Sequence, residues 1–274
     1  MSYIRTIALT SDFHVGSRYA VCPEGFRTPQ GQYYTLSEGQ LQLNSYLDNY
    51  MNKCLELGVD TMIMPGDLLH GSNYKEGGIL LMTPDIDEQV DMSYTLLDPY
   101  VQKLREHSPR PFQLYAFSGS GYHKTTKGHN PEKDIVEKLG GKFLGMVKNA
   151  CFPPSKRVFN IHHGQSGAYI YREMMLGREG LHEKFAEAMG KLPKIDVMVR
   201  GHWHNFIYIH EHKQHFIQLP CWIAFEPTRI TLKLYGKFQP DIGGVIVRID
   251  ENDRILVWHF LYDVPLMENK VIEL

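Results

Sequence analysis

Two alternating periods constrain this chain more than any other feature. Short runs rich in aliphatic and β-branched residues, at 4–10, 59–64 and 114–117, read as strands. Between them lie segments whose apolar residues recur every three or four positions, the mark of helices with one buried face. In the first of these, 38–57, Ser37 and Gln40 have the spacing of a capping box. Leu43, Leu47, Tyr50, Met51 and Cys54 then share a face, and Gly58 marks the stop. In the second, Thr83 and Pro84 read as N-cap and first helical residue, and Ile86, Val90, Tyr94, Leu97, Val101 and Leu104 follow, with Pro99 as a kink point. A third helix opens at Asn130-Pro131-Glu132 and runs to Gly140-Gly141, with Asn130 as its N-cap. Strands at 157–162 and 195–200 enclose a helix within 169–191. Beyond His204 only strands are expected, at 206–210, 215–219, 243–249 and 255–262. Such an order specifies an α/β class of fold.

At 274 residues the chain is long enough to bury a large core, and residues 1–274 read as one domain. The net charge of −2 supplies no molecule-wide basic field to hold a nucleic-acid backbone. Cys22, Cys54, Cys151 and Cys221 form no CxxC pair, so neither a disulfide framework nor a cysteine zinc site is expected. The opening MSYIRTIALTSD has no basic segment followed by a long apolar one, and no stretch reaches 18 apolar residues. A cytoplasmic location without membrane association is the expectation.

Chemistry collects where the strands end. The first runs into Ser11-Asp12-Phe13-His14, the second into Pro65-Gly66-Asp67, the fourth into His162-His163-Gly164 and the fifth into Gly201-His202-Trp203-His204. In open α/β sheets, function sits at the carboxyl ends of strands. Ligands one residue apart point the same way from an extended backbone, so Asp12 with His14, and His202 with His204, are each expected to converge on one point. A His and Asp set without thiolate suits Mn²⁺, Fe²⁺ or Zn²⁺, and there are ligands enough for two ions.

In their order, Asp12-Phe13-His14, Gly66-Asp67, the histidines 162 and 163, and Gly201-His202-Trp203-His204 resemble the motifs of the calcineurin-like metallophosphoesterases. The texture around 11–26 and 66–78 is similar to the branch found in phage and prophage genomes. The resemblance spans 12–204. It implies a four-layer α/β/β/α sandwich of two mixed sheets with flanking helices, and two divalent ions, Mn²⁺ first among Mn, Fe and Zn. One ion would take Asp12, His14, Asp67 and His204, and the other Asp67, His163 and His202, with Asp67 as the bridge. A metal-bound or bridging hydroxide would attack a phosphate ester. Diesters are preferred, with DNA, RNA and nucleotides among the substrates of the class.

The sequence Ser118-Gly119-Ser120-Gly121-Tyr122-His123-Lys124 occupies the slot of the family's Gly-Asn-His. His123 aligns with a residue near the leaving oxygen and is expected to act as general acid or transition-state stabiliser. Tyr122 stands where an amide ligand is usual, which leaves the second ion one protein ligand short. Water, a backbone carbonyl, Ser118 or Ser120 could fill that place. His163 is preferred over His162 as the ligand, because it directly precedes Gly164. Arg18 and Lys124 are candidates for the substrate phosphate. His70 reads either as a partner of a ligand or as a loop histidine, Trp222 either as a cleft wall or as core, and His210, His212 and His215 as surface residues. The long loops 16–36 and 68–82 point to function or disorder.

Three functions fit these features unequally. A two-metal phosphoesterase leads, as a phosphodiesterase or nuclease ahead of a phosphomonoesterase. A non-catalytic scaffold of the same fold ranks below it, since such a protein would have shed ligands. A structural zinc protein ranks last, having no use for the surplus.

Overall fold

The computed structural model describes residues 3–28, 30–72, 77–121, 130–164, 173–225 and 239–265. In chain order the elements are β1 (Tyr3–Leu9), α1 (Glu38–Glu56), β2 (Thr61–Met64), α2 (Ile86–His107), β3 (Gln113–Ala116), α3 (Pro131–Lys138), β4 (Lys142–Phe143) and β5 (Val147–Cys151). They continue with β6 (Val158–His162), α4 (Glu173–Ala188), β7 (Val197–Arg200), β8 (Ile207–Glu211), β9 (Gln214–Gln218), β10 (Ile242–Asp250) and β11 (Ile255–Tyr262).

The strands form two mixed sheets, one in the order β11-β10-β1-β2-β3-β4 and the other β5-β6-β7-β9-β8. In the first, β1 to β4 are parallel to their neighbours while β10 runs antiparallel to both β1 and β11. In the second, β6, β7 and β9 are parallel, with antiparallel β5 and β8 on the outside.

Alternation along each strand assigns the layers. Ile7 and Leu9 of β1, Ile63 of β2 and Val245 and Val247 of β10 pack against Phe159, Ile161, Val197, Val199 and Ile217 from the opposite sheet. Their neighbours Ala8, Met62, Met64 and Ile246 face the other way, onto Leu43, Leu47, Val90, Leu97 and Ile135 of α1, α2 and α3. On the far side Met198 and Phe216 meet Leu176 of α4. The result is the four-layer α/β/β/α sandwich. Each fully buried aliphatic or aromatic side chain contributes about 1.5–3 kcal/mol of hydrophobic stabilisation.

Local chemistry fixes most helix ends as the sequence implies. Ser37 and Gln40 form a reciprocal capping box, and the Asn130 side chain accepts from the Glu132 amide at the start of α3. The start of α2 differs from expectation. Asp85, not Thr83, is its N-cap, with a side chain that accepts from the amides of Asp87 and Glu88. The Thr83 hydroxyl accepts from the Asp85 amide and donates to Glu88, bracing the turn before the helix. Helix α2 continues through Pro99. His215 is also a correction: it is buried, its ring stacked on His210 with centroids 4.2 Å apart. Trp222 is core, fully buried beside Phe13 and Tyr50 and donating its indole N–H to Thr10. Among the described residues no helix is long and apolar enough to cross a membrane.

Candidate metal centre

The turns after β1, β2, β6 and β7 meet at one edge of the sandwich. Backbone bonds lace the first two together: Asp12 N–H donates to Gly66 C=O, and His14 N–H to Asp67 C=O. The second sheet joins through His163, whose Nδ1 lies 2.7 Å from Pro65 O, and through the His202 amide, which donates to the Asp12 carboxylate at 3.1 Å.

The backbone here is not extended. Asp12, His14, Asp67, His202 and His204 all have positive φ, between 48° and 80°. Eight non-glycine residues do so among those described, and the other three, His212, Lys213 and Asp253, lie in the turns joining β8 to β9 and β10 to β11. A left-handed non-glycine residue costs on the order of 1–3 kcal/mol and persists where its surroundings over-determine it. The expected convergence of Asp12 with His14 holds, though through left-handed turns rather than an extended strand, and that of His202 with His204 does not. His202 and His204 turn into different groups, while Trp203 between them is buried.

Asp12, His14 and His204 form one group able to hold a metal ion, and Asp67, His163 and His202 form another. In the first, His204 Nε2 stands 3.3 Å from Asp12 Oδ1 and 3.1 Å from His14 Nε2. In the second, His163 Nε2 is 2.9 Å from Asp67 Oδ2. The groups adjoin: His14 Nε2 is 3.9 Å from Asp67 Oδ2, and His163 Nε2 is 3.8 Å from Asp12 Oδ1. Asp12, His14, Asp67 and His163 are buried, whereas the His204 side chain keeps 26% of its exposure and gives the centre a solvent side.

The residues fit a bound cation. With Nδ1–H committed to the Pro65 carbonyl, a neutral His163 turns the Nε2 lone pair toward the Asp67 carboxylate. That nitrogen is buried and out of line for a hydrogen bond. Two acceptors in this position need a cation between or beside them. The proton does this when nothing else does: burial alone would lower the His163 pKa, but the charges of Asp67 and Asp12 lift it to about 10. Asp12 is held below the usual carboxylate range despite its burial, chiefly by His163 and His204. His202 is pushed down to about 4 by burial and by neighbouring His163, and so is ready as a neutral imidazole.

Ser120, a candidate ligand in the sequence, and Glu132, which is not one, hold Asp67 and its turn in place. Ser120 donates its amide to Asp67 Oδ1 at 2.7 Å and its hydroxyl to Oδ2 at 3.3 Å. Glu132, 2% exposed, accepts from the Gly119 amide at 2.7 Å and the Leu68 amide at 3.2 Å, joining the two turns beneath the site. Burial and the nearby Asp67 charge raise its pKa. A Cβ at Gly119 would fall 2.0 Å from Asp67 Oδ1, and one at Gly201 2.4 Å from Ser11 Oγ and 2.8 Å from Asp12 Oδ2, so both positions require glycine. A glutamate in the first turn of a predicted helix gave Glu132 its only sequence signal, and that signal speaks of the helix dipole.

Other candidates are distributed as follows. His162 faces away from the centre toward α4, its Nε2 3.6 Å from Glu179, and burial with Arg200 nearby pushes its pKa to about 3. His70 is buried with its ring 5.3 Å from that of His14. Ser118 Oγ accepts from the Asn130 amide nitrogen. Arg18 is exposed and donates Nε to Leu81 C=O at 3.0 Å. Tyr122, His123 and Lys124 lie outside the described residues.

Fold and site together define a two-sheet α/β/β/α sandwich with a His and Asp cluster of metal-binding character at one edge. No protein-family model and no curated protein matches the chain in sequence. Among solved structures, it is similar to Vps29 of Entamoeba histolytica complexed with zinc, at 12% identity and a TM-score of 0.45, covering 94% of this chain and 99% of that one. An archaeal phosphodiesterase is similar at 13% identity and a TM-score of 0.44, covering 93% and 99%. A Streptococcus pneumoniae protein described as a predicted phosphoesterase follows at 13% and 0.37, covering 96% and 99%. At these values the chemistry rests on this chain's own residues.

Proposed function

We propose that the chain is a metal-dependent phosphoric ester hydrolase with a dinuclear centre, acting on phosphodiesters ahead of monoesters. The observation that carries this reading is the adjoining pair of His and Asp groups, linked by contacts of 3.8–3.9 Å and drawn from both sheets. Asp12, His14 and His204 would hold one ion, His163 and His202 the other, and Asp67 both. Two such divalent ions supply Lewis acidity to the phosphoryl group and lower the pKa of water.

The chain's own residues prepare that chemistry. The Ser120 amide and hydroxyl fix the direction of the Asp67 carboxylate, and the His202 amide fixes Asp12. The Pro65 carbonyl holds the proton of His163 on Nδ1, leaving Nε2 as the donor atom. Hydrolysis joins the oxygen of water to phosphorus and breaks the bond to the ester oxygen, which must then gain a proton. His123 is proposed as its source. Preference for diesters, whether in a nuclease or a nucleotide phosphodiesterase, rests on the sequence resemblance.

The test is to quantify bound metal and then assay a chromogenic diester, a chromogenic monoester, single- and double-stranded DNA, and RNA, each with Mn²⁺ and with chelator. Expected are chelator-sensitive turnover, a higher rate on the diester, and loss of both metal loading and hydrolysis in Asp67→Ala. Protein that binds two metals yet turns over none of these substrates would be a scaffold rather than an enzyme.

A further inference from the structure

Described parts of the two loops whose length stood out in the sequence are built into one wall. Ser17 bridges Leu81 in antiparallel fashion, Arg18 N–H donates to Leu80 C=O at 2.9 Å, and Met82 N–H to Gly16 C=O at 2.7 Å. Gln40, at the start of α1, braces the same wall by donating its side-chain amide to the carbonyls of Ser17 and Ala20. Within the first loop Arg27 bridges Tyr33 and places its guanidinium 5.8 Å from that ring's centre.

Where the loops meet there is a cavity of about 360 Å³, lined in part by Arg18, Tyr19, Gln32, Tyr33, Tyr34 and Met82. Three aromatic rings, one guanidinium, side-chain amides and hydroxyls make up most of the described lining, and no carboxylate is among the described lining residues. Tyr34 is tethered by its hydroxyl to Glu88 at 3.4 Å, whereas Tyr33 is 52% exposed at the rim. One lining residue, Arg18, is tied to the metal centre by a short stretch of chain. Ser17 N–H closes a turn onto His14 C=O at 3.1 Å, and Arg18 follows directly, so its Cα is at most about 14 Å from that of His14 by chain reach.

We propose that this cavity seats the base and sugar of a nucleotide whose phosphate ester lies at the metal centre, a reading that rests on the phosphoesterase function above. Aromatic side chains stack on any base, and amide and hydroxyl groups satisfy its edge and the sugar. The volume lies at the small end of the range for ligand pockets and suits one nucleoside rather than a duplex. A net charge of −2 likewise disfavours an extended polyanion. The substrate class is therefore a nucleotide ester.

Two diesters with the same leaving group and charge isolate the cavity: thymidine 5′-(p-nitrophenyl phosphate) and methyl p-nitrophenyl phosphate. With Mn²⁺, wild type should favour the nucleoside ester in kcat/KM by about ten-fold. Tyr33→Ala should bring that ratio toward one, and Tyr33→Trp should restore it; with Tyr33 half out in solvent, truncation spares the core. Equal kcat/KM in wild type, or a ratio unmoved by Tyr33→Ala, overturns the nucleotide site and leaves the phosphoesterase reading standing. If neither ester is cleaved, the preference for diesters fails, and binding of thymidine 5′-monophosphate in the presence of chelator decides the cavity separately. Saturable binding that weakens at least five-fold in Tyr33→Ala sustains it, and absence of binding overturns it.

Discussion

Glu132 illustrates how the centre depends on a residue outside the two ligand groups. Its carboxylate oxygens each accept one backbone N–H, from Leu68 and from Gly119, and the same two turns carry Asp67 and Ser120. Glutamine at this position keeps one acceptor and sets an NH₂ against the other N–H. Glu132→Gln should therefore cost about 1–3 kcal/mol in denaturant unfolding, the penalty for a buried donor without its partner. Metal titration should show the larger loss of affinity at the Asp67 group, and unchanged midpoint and affinity would remove Glu132 from this role. The six residues of the two metal-competent groups could be named from sequence because each falls at the end of an apolar run. The left-handed backbone of five of them, all but His163, could not, since neither Asp nor His dictates positive φ and the cross-bonds that enforce it come from distant turns. Glu132 was hidden for the same reason: its partner Leu68 is 64 positions away.

At the level of elements, local signals read well wherever they are local in cause. The capping box of α1 and the Asn130 cap of α3 stand as spelled. At α2 the sequence points to Thr83-Pro84, and only the fold shows Thr83 occupied with Glu88 and Asp85 capping in its place. Strands β4 and β5 carried no pattern because β4 has two residues and β5 is an exposed outer strand. The β8 to β9 hairpin carries a pH dependence. Burial, with His210 and Arg157 nearby, lowers the His215 pKa from 6.5 to about 4. The unfolded chain then takes up this proton before the folded one, so stability is intact above about pH 6.5 and declines as pH falls toward about 4. The denaturation midpoint followed over this window should fall less steeply in His215→Asn than in wild type. Parallel slopes would show that local opening of the hairpin relieves the charge.

Across the whole molecule, the centre joins two sheets that otherwise meet through apolar packing. Asp12 and Asp67 come from the first sheet, and His163, His202 and His204 from the second, with Glu132 beneath. Three buried carboxylates near one edge repel one another, as the raised pKa of Glu132 reflects through Asp67. Without metal the folded state meets this repulsion with a proton on His163. Ions that bind the folded chain and not the unfolded one add stability by mass action, about 2.7 kcal/mol at a hundred-fold excess over Kd. Added Mn²⁺ should therefore raise the denaturation midpoint of wild type, and chelator should reverse the gain. Asp67→Ala should lose most of the increment, because that carboxylate belongs to one group, stands 3.9 Å from His14 Nε2 of the other, and is proposed to hold both ions. A full Mn²⁺ shift retained in Asp67→Ala would place the stabilising ions elsewhere on the protein and separate metal binding from the seam between the sheets.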